Sequence, residues 1–201
     1  AAYETNRQIE RNGTKIPLVE GLSNAIIIIY QSLICKYSEQ LTIEEILRVS
    51  IDLKATSRQS GEKLPVYEFI ILFSLNFTDR YNDMLKLIAH IHSSYDLSGL
   101  TSSGFYQHHL LCHAQALFHT GHPEDALTVY HRFEMTEIPP LMKYYLLIQK
   151  YFIDIDFMLY EGNHEGALAL AENIRNISRV LQFRYFFARA DRLRNEIRQK
   201  E

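Results

Sequence analysis

Apolar residues recur three and four positions apart along most of the chain, and short polar stretches separate the runs. That spacing predicts helices, each burying one face. The first, over 17–37, opens at Pro17, which a helix tolerates in its first turn. Leu22, Ala25, Ile26, Ile29 and Leu33 follow at helical spacing; the isoleucine run could pass for a strand, but its length favours a buried helix. Thr42 and Glu45 form a capping-box pattern, in which each side chain satisfies an amide at the helix start, and predict a helix over 43–56. A polar loop over 58–63 contains Gly61. Pro65 then opens a helix rich in Phe69, Ile70, Leu72, Phe73 and Leu75. Thr78 reads as the N-cap of the next helix, with Asp79 placed against its dipole and Met84, Leu85, Leu87, Ile88 and Ile91 behind it. A loop over 93–103 holds Gly99 and five serines. No segment reads as strand.

The second half repeats. A helix over 104–120 ends at Gly121, a residue able to take the left-handed conformation that terminates helices. Pro123, Glu124 and Asp125 start its partner, with acids suited to the positive helix end. Pro139-Pro140 ends that unit. A helix over 141–160 ends near Gly162, and Asn163 caps the next, over 164–178. A last helix over 181–200 closes the chain with a polar end. Gly121 and Gly162 lie 41 residues apart, and Ala126 and Ala167 follow them at the same distance. Aligning second helices sets Ile46, Met84, Ala126 and Ala167 in equivalent positions, at intervals of 38, 42 and 41 residues. The first two units lack the glycine turn and the small residue. A period in this range marks stacked helical repeats, which build binding surfaces more often than catalytic pockets.

Composition narrows the function classes. The chain has 201 residues and a formal net charge of -3, so its overall charge gives no reason to expect nucleic acid or an anionic membrane. Cys35 and Cys112 lie far apart in apolar runs and read as buried free thiols of a reducing, cytoplasmic compartment. The polar start lacks the apolar core of a signal peptide. The longest apolar run, Ala25 to Tyr30, falls far short of the roughly 20 residues that span a bilayer. Residues 1–16 read as a polar lead-in and 17–201 as one repeat domain. The chain starts without Met and reads as a fragment whose parent carries the output activity.

Candidate chemistry is sparse. Six of nine histidines lie between His108 and His131, with His109 and His113 one helical turn apart and Cys112 adjacent. Zinc needs three or four converging ligands, and no HExxH, CxxC pair or spaced carboxylate supplies the rest. No metal or other cofactor is expected. No nucleophile elbow, phosphate loop or dinucleotide fingerprint occurs. Asp154 and Asp156 point to different helix faces and form no acid/base pair. No enzyme activity is expected. The basic stretch with Arg184, Arg189, Arg192, Arg194, Arg198 and Lys200 is interrupted by Asp191, Glu196 and Glu201 and reads as a solvated cap.

Ala114, Gly121, Ala126 and Tyr130, with Pro139 near the end, resemble the tetratricopeptide motif. The unit around Gly162 and Ala167 is weaker, with Ile155 for the small residue and Ala171 for the aromatic. Periods near 40 depart from the motif's usual 34 and are similar to the helical repeats of bacterial regulators, such as the LuxR-type maltose activator or response regulators with a helical-repeat tail. The resemblance implies an all-α, right-handed α-α superhelix (a TPR-like solenoid) of about four helical hairpins plus a C-terminal capping helix. It also implies a groove lined by Phe69, Phe73 and Asn76, then His108, Leu111, Gln115 and His119, then Gln149, Phe152 and Asp156. The phenylalanines could equally fill the core between units. The function expected is a non-catalytic module of a bacterial signal-transduction or transcription regulator. Its partner would be a protein or peptide segment, or another domain of its parent chain. The alternatives are a homodimerisation platform on the aromatic helices and a small-molecule sensor. Nucleic-acid contact and membrane insertion are not expected through this segment.

Overall fold

The computed structural model describes residues 66–101, 103–135 and 140–199. The helices expected over 17–37 and 43–56, the loop over 58–63, the lead-in, Cys35 and Pro139 lie outside the described residues. All regular structure among the described residues is helical: α1 (Val66–Phe77), α2 (Tyr81–Ser94), α3 (Gly104–His119), α4 (Pro123–Tyr130), α5 (Pro140–Tyr160), α6 (His164–Val180) and α7 (Arg184–Arg198), with a 3-10 turn at Ser98–Leu100. No described helix is long and apolar enough to cross a membrane. The chain forms two compact units, whose described parts are 66–96 in one and 97–101, 103–135 and 140–199 in the other.

In the first unit, α1 buries every side chain from Ile71 to Phe77. A helix apolar nearly all round belongs inside a core. The Phe73 and Phe77 rings stack with centroids 4.6 Å apart. The buried Glu68 carboxylate accepts a 2.7 Å hydrogen bond from the Tyr95 hydroxyl. Met84, Ile88 and Ile91 form the single buried stripe of α2.

Four helix ends close by one device. The amides of Asp79, Gly121, Gly162 and Gln182 each donate to the carbonyl three residues back, at 3.1–3.3 Å. The amides that follow, of Arg80, His122, Asn163 and Phe183, each donate five residues back, at 2.7–3.1 Å. These two bonds define the Schellman turn, which needs a left-handed residue. Asp79, Gly121, Gly162 and Gln182 have φ of 54°, 90°, 78° and 59°. Five residues beyond the first three turns, Met84, Ala126 and Ala167 are fully buried. The turn therefore recurs at Asp79 without a glycine. Thr78 is not the N-cap of α2: its hydroxyl donates to the Ser74 and Leu75 carbonyls and belongs to the end of α1. Arg80 holds the N-cap position of α2, and Asp79 forms the turn and accepts from the Tyr81 hydroxyl at 2.8 Å.

In the second unit, side-chain pairs fix the helix directions. His108 meets Tyr145 and His119 meets Asp156, so α3 and α5 run parallel with a constant offset of 37 residues. Arg132 bonds Tyr106 and the Glu134 amide bonds Gln107, so the end of α4 returns to the start of α3. Arg194 pairs with Glu172 and Arg175 with Asp191, which makes α6 and α7 antiparallel. Tyr145 and Phe152 both touch Phe186, and Arg189 caps the Phe152 ring, so α7 runs with α5. Asn163 caps α6 as expected by accepting from the Gly166 amide at 2.9 Å. A Cβ on Gly166 would stand 2.7–2.9 Å from that cap, so only glycine lets Asn163 close.

Candidate functional site

The strip between α3 and α5 contains seven of the ten groove residues. His108, Leu111, Gln115 and His119 come from α3, and Gln149, Phe152 and Asp156 from α5. Phe69, Phe73 and Asn76 lie in α1, in the other unit. The expected solvent-facing register does not hold for most of them. Phe69, Phe73, Asn76, His108, Leu111, Gln115, Gln149 and Phe152 are each 3% exposed or less. The cause lies in α3, where the side chains of Tyr106 to Cys112 and Ala114 to Ala116 are all buried. Its polar residues are enclosed with its apolar ones. His119 and Asp156 keep 30% and 16% of their side-chain surface, and their polar atoms meet at 3.0 Å.

The inner end of the strip is a neutral hydrogen-bonded cluster. The Gln149 amide donates to the Tyr145 hydroxyl oxygen at 3.3 Å. The same hydroxyl hydrogen-bonds to Nε2 of His108, 2.7 Å away. The Cys112 thiol lies 3.1 Å from the same nitrogen. Burial pushes the His108 pKa down to about 3 and pushes the Cys112 thiol and Tyr145 hydroxyl well above their ordinary values. Each group holds its uncharged form. A thiol is a poor nucleophile compared with its thiolate, so contact between Cys and His here does not make an activated pair. Tyr145 and Cys112 were absent from the sequence-derived site. Tyr145 lies one helical turn before Gln149 and Cys112 one turn after His108, and that spacing was the available signal.

Gln115 differs from its neighbours. The offset of 37 residues sets it level with the Phe152 ring, and neither atom of its buried amide has a hydrogen-bond partner among the described residues. Leaving an amide unpaired in a core costs on the order of 1–3 kcal/mol.

The outer end of the strip is aromatic and charged. Phe118 packs edge-on against Phe157 and Tyr160, with centroids 5.3 and 6.0 Å apart, and Tyr130 lies 5.6 Å from Phe157. Tyr160 is 67% exposed. The Tyr130 hydroxyl donates to Asp154, which also pairs with Lys150 at 2.7 Å. Burial, then this contact with Asp154, raises the Tyr130 hydroxyl far above its ordinary value, so it stays a donor. His109 is buried beside Tyr106 and His113, with ring centroids 6.0 and 6.2 Å away.

Scans against protein-family models, curated proteins and solved structures return no match to this chain.

Proposed function

We propose that the chain is a non-catalytic protein- or peptide-interaction module, built as a TPR-like right-handed stack of helical hairpins, that serves a bacterial regulatory protein. The recurring turn carries this reading. Asp79, Gly121 and Gly162 take the same left-handed conformation at intervals of 42 and 41 residues, each followed five positions later by a fully buried side chain. Stacked units of this kind expose long surfaces. The neutral state of His108, Cys112 and Tyr145 argues against hydrolytic or nucleophilic chemistry in the strip. Binding is assigned to its outer end, where His119, Asp156 and the Phe118–Phe157–Tyr160 cluster combine exposed aromatic area with a charged rim. Aromatic anchors beside polar groups are the usual composition of a protein contact.

The test is a displayed library of random peptides panned on the whole chain. A consensus that binds the wild type and is lost with Tyr160→Ala or Asp156→Ala supports the module. Recovery of no binding sequence from repeated panning overturns it.

The unpartnered Gln115 amide favours a second reading, a small-molecule sensor whose ligand completes that amide. A metabolite panel that raises the melting temperature of the wild type but not of Gln115→Leu would support it, since a ligand of the native state stabilises it by mass action.

A further inference from the structure

The second unit has two opposite edges of unlike charge. Helix directions place the ends of α3, α5 and α7 and the starts of α4 and α6 on one edge. The starts of α3, α5 and α7 and the ends of α4 and α6 form the other. Glu124, Asp125, Glu161 and Glu165 are exposed on the first edge, joined by Glu196 in the last turn of α7. Among the described residues Arg198 is the one arginine or lysine there. Among the described residues, Arg132, Lys143, Arg179 and Arg184 are exposed on the second edge, against Glu134.

Helix dipoles explain only part of this polarity. Acids at the starts of α4 and α6, and Arg179 at the end of α6, stand where a helix favours them. Lys143 at the start of α5, Glu161 just past its end, Arg184 at the start of α7 and Glu196 near its end all stand against the dipole. Each of these four nevertheless carries the sign of its edge. Between the edges the charges cancel locally. Arg175, Glu172, Arg194 and Asp191 close a ring of alternating charge with contacts of 2.9–3.3 Å, and Lys150 neutralises Asp154.

We propose that the basic edge, with Arg179 and Arg184 at its centre, docks the acidic edge of a second copy of this chain, giving head-to-tail self-association. The occupant is argued from charge complementarity: the chain carries on one edge the partner that its other edge requires. The contact is heterologous, so a dimer keeps one free edge of each sign and can add further copies until a ring closes. The acidic edge adjoins the outer end of the α3–α5 strip, so a docked second copy competes with a peptide at Tyr160, whereas the basic edge lies at the other end of the helices.

Sedimentation of the full chain across dilution tests it. In about 10 mM salt, where exposed charges act over roughly 30 Å, the average mass should rise with concentration. It should return to the monomer in about 1 M salt, where that reach is roughly 3 Å. Arg179→Glu with Arg184→Glu should abolish the rise, as should Glu161→Lys with Glu165→Lys. A chain carrying all four changes keeps its net charge and should regain it. Arg179→Gln with Arg184→Gln, which leaves the acidic edge untouched, should also lose the rise, and circular dichroism checks that each variant folds. A wild type that stays monomeric in low salt overturns the proposal. So does assembly that survives either reversal, or that fails to return in the four-change chain while its helicity is intact.

Discussion

Two seams in the second unit hold helices together by opposite means. At the inner end of the α3–α5 seam the polar groups are buried and uncharged, and hydrogen bonds link Gln149 to Tyr145 and Tyr145 to His108. Between α6 and α7 four charged groups alternate around a ring, and the two carboxylates keep 36–40% of their side-chain surface. Depth decides which solution works. A fully buried ion is costly to desolvate, so the deep seam uses neutral hydrogen bonds. The shallow seam tolerates charge because water shares the solvation, and for the same reason each of its pairs contributes little. Its arginines also pack: Arg175 lies over the Phe187 ring at 5.2 Å.

Acid should separate the seams most widely. The His108 pKa is about 3 in the fold and near 6.5 in an unfolded chain, so the unfolded chain binds more protons between those values. Stability contributed by neutral His108 is complete above about pH 6.5 and is lost as pH falls toward 3, at up to about 1.4 kcal/mol per unit. Urea midpoints at pH 7 and pH 5 should fall steeply for the wild type and less for His108→Gln; equal slopes would show that His108 does not carry the effect. The Glu172 pKa is shifted in the same direction, downward. Its hydrogen bond from Arg194 lowers it, so its contribution is whole between pH 7 and 5 and starts to fade only below the ordinary carboxylate value of 4.5.

Removing one hydroxyl comes next. Tyr145→Phe deletes the hydrogen bond to His108 and should cost about 1–3 kcal/mol, with the same loss in low and high salt. A loss that shrinks with salt would mean that the deep seam is charged after all.

Backbone strain ranks third. Gly162→Ala forces a Cβ into a left-handed residue and should cost about 1 kcal/mol, with no clash to add to it. Gln182→Gly relieves the same strain at the α6–α7 turn and should raise stability by several tenths of a kcal/mol. Thermal melts of the pair should move in opposite directions. The smallest effect belongs to the charged ring. Arg194→Gln should cost under about 1 kcal/mol, and that difference should vanish in molar salt.

Half of these turns were legible in the sequence. Gly121 and Gly162 announce a left-handed residue because glycine alone takes it without penalty. Asp79 and Gln182 adopt the same conformation with a side chain, so nothing in their composition marks the turn. The break between α6 and α7 was therefore expected near 179–180, whereas α6 runs to Val180 and α7 starts at Arg184. For the candidate site, the register of the resemblance puts His108, Leu111, Gln115 and His119 on a solvent-facing side of α3, and the first three are buried. Spacing says which side chains share a face, not whether that face meets water. In α3, where almost every side is enclosed, no polar stripe distinguishes inside from outside.

One consequence of the helix register concerns Tyr160. Repeating turns advance by 41 residues from Gly121 to Gly162, but residues level with one another on α3 and α5 differ by 37. The difference is four residues, one helical turn, or about 6 Å of rise. The α5–α6 hairpin is thus mounted one stair above the α3–α4 hairpin, and the final turn of α5 overhangs the last turn of α3. Tyr160 sits on that overhang, an aromatic ring left in the open by the step between two copies of the same unit.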